Sequence, residues 1–361
     1  MLSRKERCKL VRDQTDKEWC MMWWSFMLEL GDELHWGALS INSNITMKDI
    51  LENPDKPWNW DYISRNPNIT MQDIKENPDK HWNWYWISSN PNITIKYIDA
   101  NPEKPWDWRE ISSNPNITMQ DILDNPDKPW NWDGISCNPN ITMKYINANP
   151  NKPWNWYKIS KNPNITMKFI KENPDMSWGW NYISCNPNIT MKDILENPDK
   201  SWDWRWISKN PNITPACINA HPDKPWNWNH ISRNPNLTIE FINANPYKYW
   251  DWYEISRTPN ITMKYIKENL EKPWSWDLIS MNPNITMKDI QENPDKPWNF
   301  YGISVNSFTR DKAEYLLLQY RRHLASYRIQ QHWHRIRADP RHPVCQRRLE
   351  LDYNREFVNS N

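Results

Sequence analysis

From Ile45 onward, polar and apolar positions recur in one short order. An apolar residue is followed by Thr, Asn or Asp, a second apolar residue, two variable positions, an Ile, two more variable positions and Asn-Pro. In "NPNITMKDILENPDKSWDWRWISK", Asn186 to Lys209, the order starts twice, at Ile189 and at Trp202. Each half predicts a helix of about two turns. Thr190 fits the N-cap, where its hydroxyl can accept an otherwise unpaired backbone N–H. Asp193, three residues on, can close a capping box, and Ile189 with Ile194 forms the two ends of a hydrophobic staple. Trp202, Asp203 and Ile207 repeat that arrangement in the second half. The residue before a proline is pushed out of the helical region, so Asn-Pro ends each half.

The pair of halves is one unit. The first Trp of each W-x-W (or W-N-F) stands at 58, 82, 106, 130, 154, 178, 202, 226, 250, 274 and 298, a spacing of 24 throughout. Trp36 lies 24 before Trp60, so a degraded half-unit, "LHWGALSINSNIT", opens the array. A fixed period of this length marks a stacked repeat architecture. Two-turn helices are unstable alone in water, so the repeated Ile, Met and Trp positions must be covered by neighbouring units. The expected fold is an all-α solenoid of eleven repeats over residues 35–307. A helical N-terminal segment over 1–34 and a basic helical tail over 308–361 are expected to cap it. The W-x-W rings, at fixed positions in every unit, are expected in the core rather than as sugar-binding platforms.

Composition changes this picture little. The chain has 361 residues with 28 Trp, 30 Pro and 5 Gly, and a net charge of +1 that points to no particular partner. Residues 308–361 differ, with 11 Lys/Arg against 6 Asp/Glu and four of the eight His. The cysteines Cys8, Cys20, Cys137, Cys185, Cys217 and Cys345 form no CxxC pair, which argues against a zinc or redox site and fits a reducing compartment. The charged start "MLSRKERCKLVRDQTDKEW" lacks a secretory apolar stretch, and "WCMMWWSFMLEL" is too short to span a bilayer. The Asn-x-Thr sequons from Asn44 to Asn284 are therefore expected to be unmodified by-products of the capping Thr.

A 24-residue period with "NPNIT" opening a helix and "NPDKP" closing it resembles the leucine-rich repeat variant family. That resemblance covers about residues 35–307 and implies a right-handed superhelix of paired short helices, one α and one 3₁₀. Here Trp and Ile replace the Leu-rich positions, and the family's cysteine cluster and iron–sulfur module are not carried over. The W-x-W half can equally be a short α-helix. Trp-rich "NPNIT…NPDKPWNW" arrays also resemble repeat proteins of giant DNA viruses of amoebae. The tail "SYRIQQHWHRIRADPRHPVCQRRLELDY", Ser326 to Tyr353, resembles a segment near the ends of many proteins from those viruses. The resemblance implies a viral protein in host cytoplasm or in the particle, and no activity.

No catalytic, cofactor or metal constellation stands out. Five Gly hardly provide a phosphate loop, and His81, His221 and His230 are single-repeat substitutions. Ile329-Gln330 opens like a calmodulin-binding IQ motif, but His334 and Asp339 occupy its basic positions. The variation between repeats is more telling. The two residues after the second Trp change freely, and the second of each pair supplies a candidate binding face: Tyr62, Trp86, Glu110, Lys158, Tyr182, Trp206, His230 and Glu254. Solenoids hold their stack with fixed positions and bind with variable ones, and Tyr, Trp and Arg are enriched at hot spots. The leading expectation is a non-enzymatic scaffold for a protein partner. The alternative is nucleic-acid binding by the tail, where Arg321, Arg322, Arg328, Arg335 and Arg337 interleave with Tyr315, Tyr320, Tyr327 and Trp333. Against that alternative, Leu316, Tyr320, Leu324, Tyr327 and Trp333 read as the buried side of a helix covering the last repeat.

Overall fold

The computed structural model describes residues 4–339 and 341–353. Among them every regular element is helical: 26 α-helices and one short 3₁₀ turn, Gly31–Glu33. Two compact units result, Met27–Phe308 and the two ends, Met1–Phe26 with Thr309–Asn361. The side chain of Cys8 and the last residues of the tail lie outside the described part, while Cys137, Cys185, Cys217 and Cys345 are free thiols.

Both halves of the repeat are short α-helices, for example Met191–Glu196 and Trp204–Ser208. Thr190 starts the first as its sequence dictates. Its backbone N–H and its hydroxyl both reach Asp193 Oδ2 (2.9 and 2.6 Å), and the Asp193 N–H returns to Thr190 Oγ1 at 3.4 Å. The same capping box closes at Thr70, Thr118 and Thr286. Where Asp is replaced at the third helical position, as by Tyr145, the box is lost, and Thr142 makes no side-chain cap bond at all. The second helix is capped by the residue between the two tryptophans. Asn59 Oδ1 accepts from the Tyr62 N–H, and Asp107 Oδ1 from those of Arg109 and Glu110. At the far end, Asn66 sits before Pro67 with φ −64° and ψ 128°, outside the helical region as a pre-proline residue must be.

The tryptophans are framework, but most are half-buried rather than in the core as expected, and among the W-x-W rings only Trp154 and Trp298 are buried. The first Trp of each pair is anchored through its ring N–H, as in Trp154 Nε1 donating to Asn149 O at 2.8 Å. Its ring meets the second Trp of the preceding repeat edge-on, as in Trp132–Trp154 with centroids 5.1 Å apart at 89°. Offset and edge-to-face pairs of this kind add to the burial of large apolar rings. A Lys of the "NPDKP" loop lies over many of the second rings, Lys152 over Trp132 at 5.5 Å among them.

A polar ladder binds one repeat to the next. Asn66, fully buried, donates from Nδ2 to Ser40 O and Asn42 O (both 3.0 Å), while its Oδ1 accepts from the Asn68 N–H. Ser40 Oγ accepts from the Asn59 N–H at 2.9 Å and donates back to Trp36 O. This set recurs one repeat at a time, up to Asn306 on Ser280 O and Asn282 O (3.1 and 3.0 Å). Only Thr258 departs from the buried Asn, its hydroxyl reaching Ser232 O at 3.5 Å.

The ladder does not stop at the last repeat. Asn42 Nδ2, in the degraded opening half-unit, donates to Ser304 O and Asn306 O (2.8 and 3.0 Å). The His35 N–H donates to Ser304 Oγ at 3.1 Å, and Asn44 Nδ2 to Ser307 O at 3.0 Å. These are the bonds that Asn66, Asn59 and Asn68 make to the repeat before them, now made by the first unit on the last. The His35 ring also meets Tyr301 edge-on at 5.1 Å. The eleven repeats and the opening half-unit thus close into a ring with twelve second helices, Trp36–Leu39 to Phe300–Val305. The end of the array, expected to be open and to need a cover, is occupied by its own beginning. Trp298, Ile303 and Ile290 are accordingly buried.

The end unit stands on the helices Arg4–Glu29, Thr309–Ala338 and Pro343–Tyr353. Trp19 is buried there with its ring 6.0 Å from that of Tyr315, whose hydroxyl donates to Glu18 Oε2 at 3.1 Å. The buried side expected of the tail helix is not formed. Tyr320, Leu324, Tyr327 and Trp333 are exposed, and Leu316 is only half-buried.

Candidate interaction surface

Second helices pack directly against one another around the ring, and first helices far less, so the second helices form its inner wall. At 100° per residue, the side chains of one second helix divide into two faces. Ile63 and Ser64 point into the wall and are fully buried, while Asp61, Tyr62 and Arg65 share the opposite face. That face looks onto the lumen. Twelve helices spaced by ~8–10 Å put their axes about 15–19 Å from the centre, room enough for an extended chain or a helix.

Each candidate from the sequence lies on this face, but to different depths. Tyr62, Trp86, Glu110, Lys158, Tyr182, Trp206 and His230 are half-buried. Glu254 is a correction: its side chain is only 8% exposed, clamped between Arg233 (2.9 Å) and Arg257 (3.0 Å). A carboxylate held by two guanidinium groups is a structural cross-link and offers little to a partner. The other member of the variable pair is the more exposed one at Tyr85, Arg109, Tyr157, Arg205 and Tyr253. A further column on the same face is missing from the expected site. Three positions after each candidate comes the column of Arg65, Lys161, Cys185, Lys209, Arg233 and Arg257. The 24-residue period was enough to find it, because i and i+3 share a helix face.

The columns interact along the wall. Arg65 stands 4.7 Å over the Trp86 ring, one repeat on, and the Tyr85 hydroxyl donates to Glu110 Oε1 at 3.1 Å. That carboxylate, taking up the hydroxyl proton's bond, holds the Tyr85 phenol above its ordinary pKa. Farther round, Tyr157 meets Tyr182 edge-on at 4.9 Å, and Tyr182 meets Trp206 at 6.0 Å. Lys161 lies 4.1 Å over the Tyr182 ring and Lys209 lies 3.7 Å over Trp206. His230 Nδ1 is 2.9 Å from Asn227 Oδ1. Burial first, and then the charges of Arg233, Lys209 and Arg205, hold its pKa below the ordinary value.

The tail arginines Arg321, Arg322, Arg328, Arg335 and Arg337 are all exposed on the helix Thr309–Ala338. Among the described residues, no group of three or more His, Cys, Asp or Glu is placed to hold a metal ion, and no helix is long and apolar enough to cross a membrane. The sequon asparagines are part of the ladder: Asn92 Nδ2 donates to Pro67 O (2.7 Å) and Ile69 O (3.0 Å) of the preceding repeat. Comparison of the chain with models of protein families, with curated proteins and with solved structures yields no match.

Proposed function

We propose that this protein is a non-enzymatic scaffold that holds a protein partner on the variable wall of its ring. The observation that carries the reading is a division of labour within single helices. Ile, Ser and Asn are the same in nearly every repeat and spent on the ladder, while the side chains opposite them differ from repeat to repeat and stay accessible. Tyr, Trp and Arg are frequent among the accessible ones, the types that dominate binding energy at interfaces. The sequence resemblance to repeat proteins of giant viruses supports a place in host cytoplasm or in the particle. The test is a quantitative pull-down from infected host cells with the intact protein and with Tyr85→Ala/Arg109→Ala/Tyr157→Ala. A specific partner lost on the triple variant, with the melting temperature unchanged, is the expected result. Partners recovered equally by both proteins would sink the reading.

A second reading has one observation in its favour. Tyr320, Tyr327 and Trp333 are exposed beside the tail arginines, where bases could stack and phosphates pair. It requires retention on DNA or RNA that falls steeply with salt and disappears with Arg321→Ala/Arg322→Ala/Arg328→Ala. Salt-independent behaviour removes it.

A further inference from the structure

The wall is not uniform in charge. In the column three positions after each candidate, the five successive repeats from Lys161 to Arg257 carry four cations around Cys185: Lys161, Lys209, Arg233 and Arg257. The other seven repeats carry one, Arg65. Lys158 adds to the same arc from a neighbouring column, Arg205 is paired with Asp203 at 2.8 Å, and Glu254, the single acid in the three columns, is held by Arg233 and Arg257. Burial raises the pKa of the Cys185 thiol, with Lys209 and Lys161 acting against it, and burial followed by the charges of Arg233, Lys209 and Arg205 lowers that of His230.

The rings in the arc decide what kind of anion fits. A single-stranded nucleic acid would need open aromatic faces for its bases. Here the face of Tyr182 is covered by Lys161 and that of Trp206 by Lys209, and Tyr157, Tyr182 and Trp206 meet edge to face. The aromatic surface therefore serves to hold ammonium groups in place, which lowers the entropic cost of using them. Fixed cations, one or two repeats apart along the wall and seated on the rings of Tyr182 and Trp206, match a string of carboxylates, while Tyr157 and Tyr253 stay exposed beside them.

We propose that the arc from Lys158 to Arg257 binds an acidic polypeptide segment, its Asp and Glu side chains meeting Lys161, Lys209 and the outer side of the Arg233–Glu254–Arg257 cluster. This rests on the wall being the binding surface and names the chemistry of its partner. The experiment uses the full chain, a fluorescein-labelled oligoglutamate peptide and an oligothymidylate of equal charge, with anisotropy as the readout. Lys161→Glu/Lys209→Glu should weaken oligoglutamate binding by about tenfold or more, the scale of a lost close charge contact. Lys48→Glu/Lys288→Glu, exposed on first helices away from the wall, should leave it unchanged. Lys161→Gln/Lys209→Gln guards against misfolding by the reversal, and should weaken binding to an intermediate degree at an unchanged melting temperature. Equal losses in both charge-reversed proteins, tighter binding of the oligothymidylate, or no peptide binding by the intact chain each overturn the proposal. Should it fall while the pull-down partner is still lost on the Tyr85/Arg109/Tyr157 variant, the scaffold stands with a partner of different chemistry.

Discussion

Ring closure makes a prediction that an unclosed array would not. Asn42 lies in the most degraded unit, where an end of a solenoid would fray and a substitution would cost almost nothing. In the closed ring its Nδ2 satisfies Ser304 O and Asn306 O, and its Oδ1 satisfies the Asn44 N–H at 2.9 Å. Asn42→Ala removes all three bonds and strands three polar groups in a joint where Ser304 and Asn306 are buried. At about 1 kcal/mol for each group, the low end for a buried orphan, the loss is about 3 kcal/mol. For a large domain each kcal/mol moves Tm by roughly 2 °C, so a fall of roughly 6 °C is expected. Asn138→Ala, at the equivalent place inside the array, removes the same three bonds, to Ser112 O, Asn114 O and the Asn140 N–H (3.1, 2.9 and 2.8 Å), and is the internal standard. Its further bond to Ile117 O leaves that carbonyl with Asn140 Nδ2. The assay is thermal unfolding followed by circular dichroism, with hydrogen exchange at the Asn44 amide as the local check. Equal losses at the two sites are the signature of a ring. A normal Tm for Asn42→Ala beside a depressed one for Asn138→Ala would refute the closure.

The repeat, its period and its helix starts were legible because each is a local matter. Thr190, Asp193 and the Asn-Pro that follows act within ten residues, and the structure places them as the pattern requires. The Trp framework was legible for the same reason, since a large apolar ring at a fixed place in every unit has to be covered. Closure was not legible. It depends on a rotation of about 30° from one unit to the next, twelve to the circle, and that angle is set by how Asn59 and Asn66 seat on the repeat before them. A repeat pattern contains both residues but not the angle. The buried Asn illustrates the gap: Asn66 reads as the end of a turn, whereas it is also the main polar joint between repeats. Glu254 fails for a related reason. It is a variable position like its neighbours, and its burial follows from Arg233 in the repeat before it and Arg257 in its own helix. The tail fails differently. Tyr320, Leu324 and Tyr327 have the spacing of a buried stripe, but spacing alone does not bury a helix face, and all three are exposed.

Three further predictions test the local readings. Thr190→Ala breaks a closed capping box and should cost about 0.5–2 kcal/mol, whereas Thr142→Ala, with no cap bond to lose, should cost clearly less; matched melts that show equal losses would remove the distinction. Trp154→Ala deletes an anchored ring and should cost about 3–5 kcal/mol, against no more than ~0.5 kcal/mol for the half-exposed Tyr157→Ala, and equal losses would refute the split between framework and variable wall. The last concerns His230, whose pKa is held below its ordinary value of 6.5 by burial and then by Arg233, Lys209 and Arg205. A lowered histidine pKa means that the unfolded chain takes up its proton first as the pH falls. The stabilisation is therefore complete above the unfolded value and is lost as the pH drops from there towards the folded one. Arg233→Ala relieves part of the positive field, so the His230 titration, followed by NMR, should move upward, and Lys209→Ala should do the same. The Arg65→Ala change, on the far side of the ring, should not move it. A His230 that ignores Arg233→Ala and Lys209→Ala alike would mean that the basic arc exerts no continuous field along this wall.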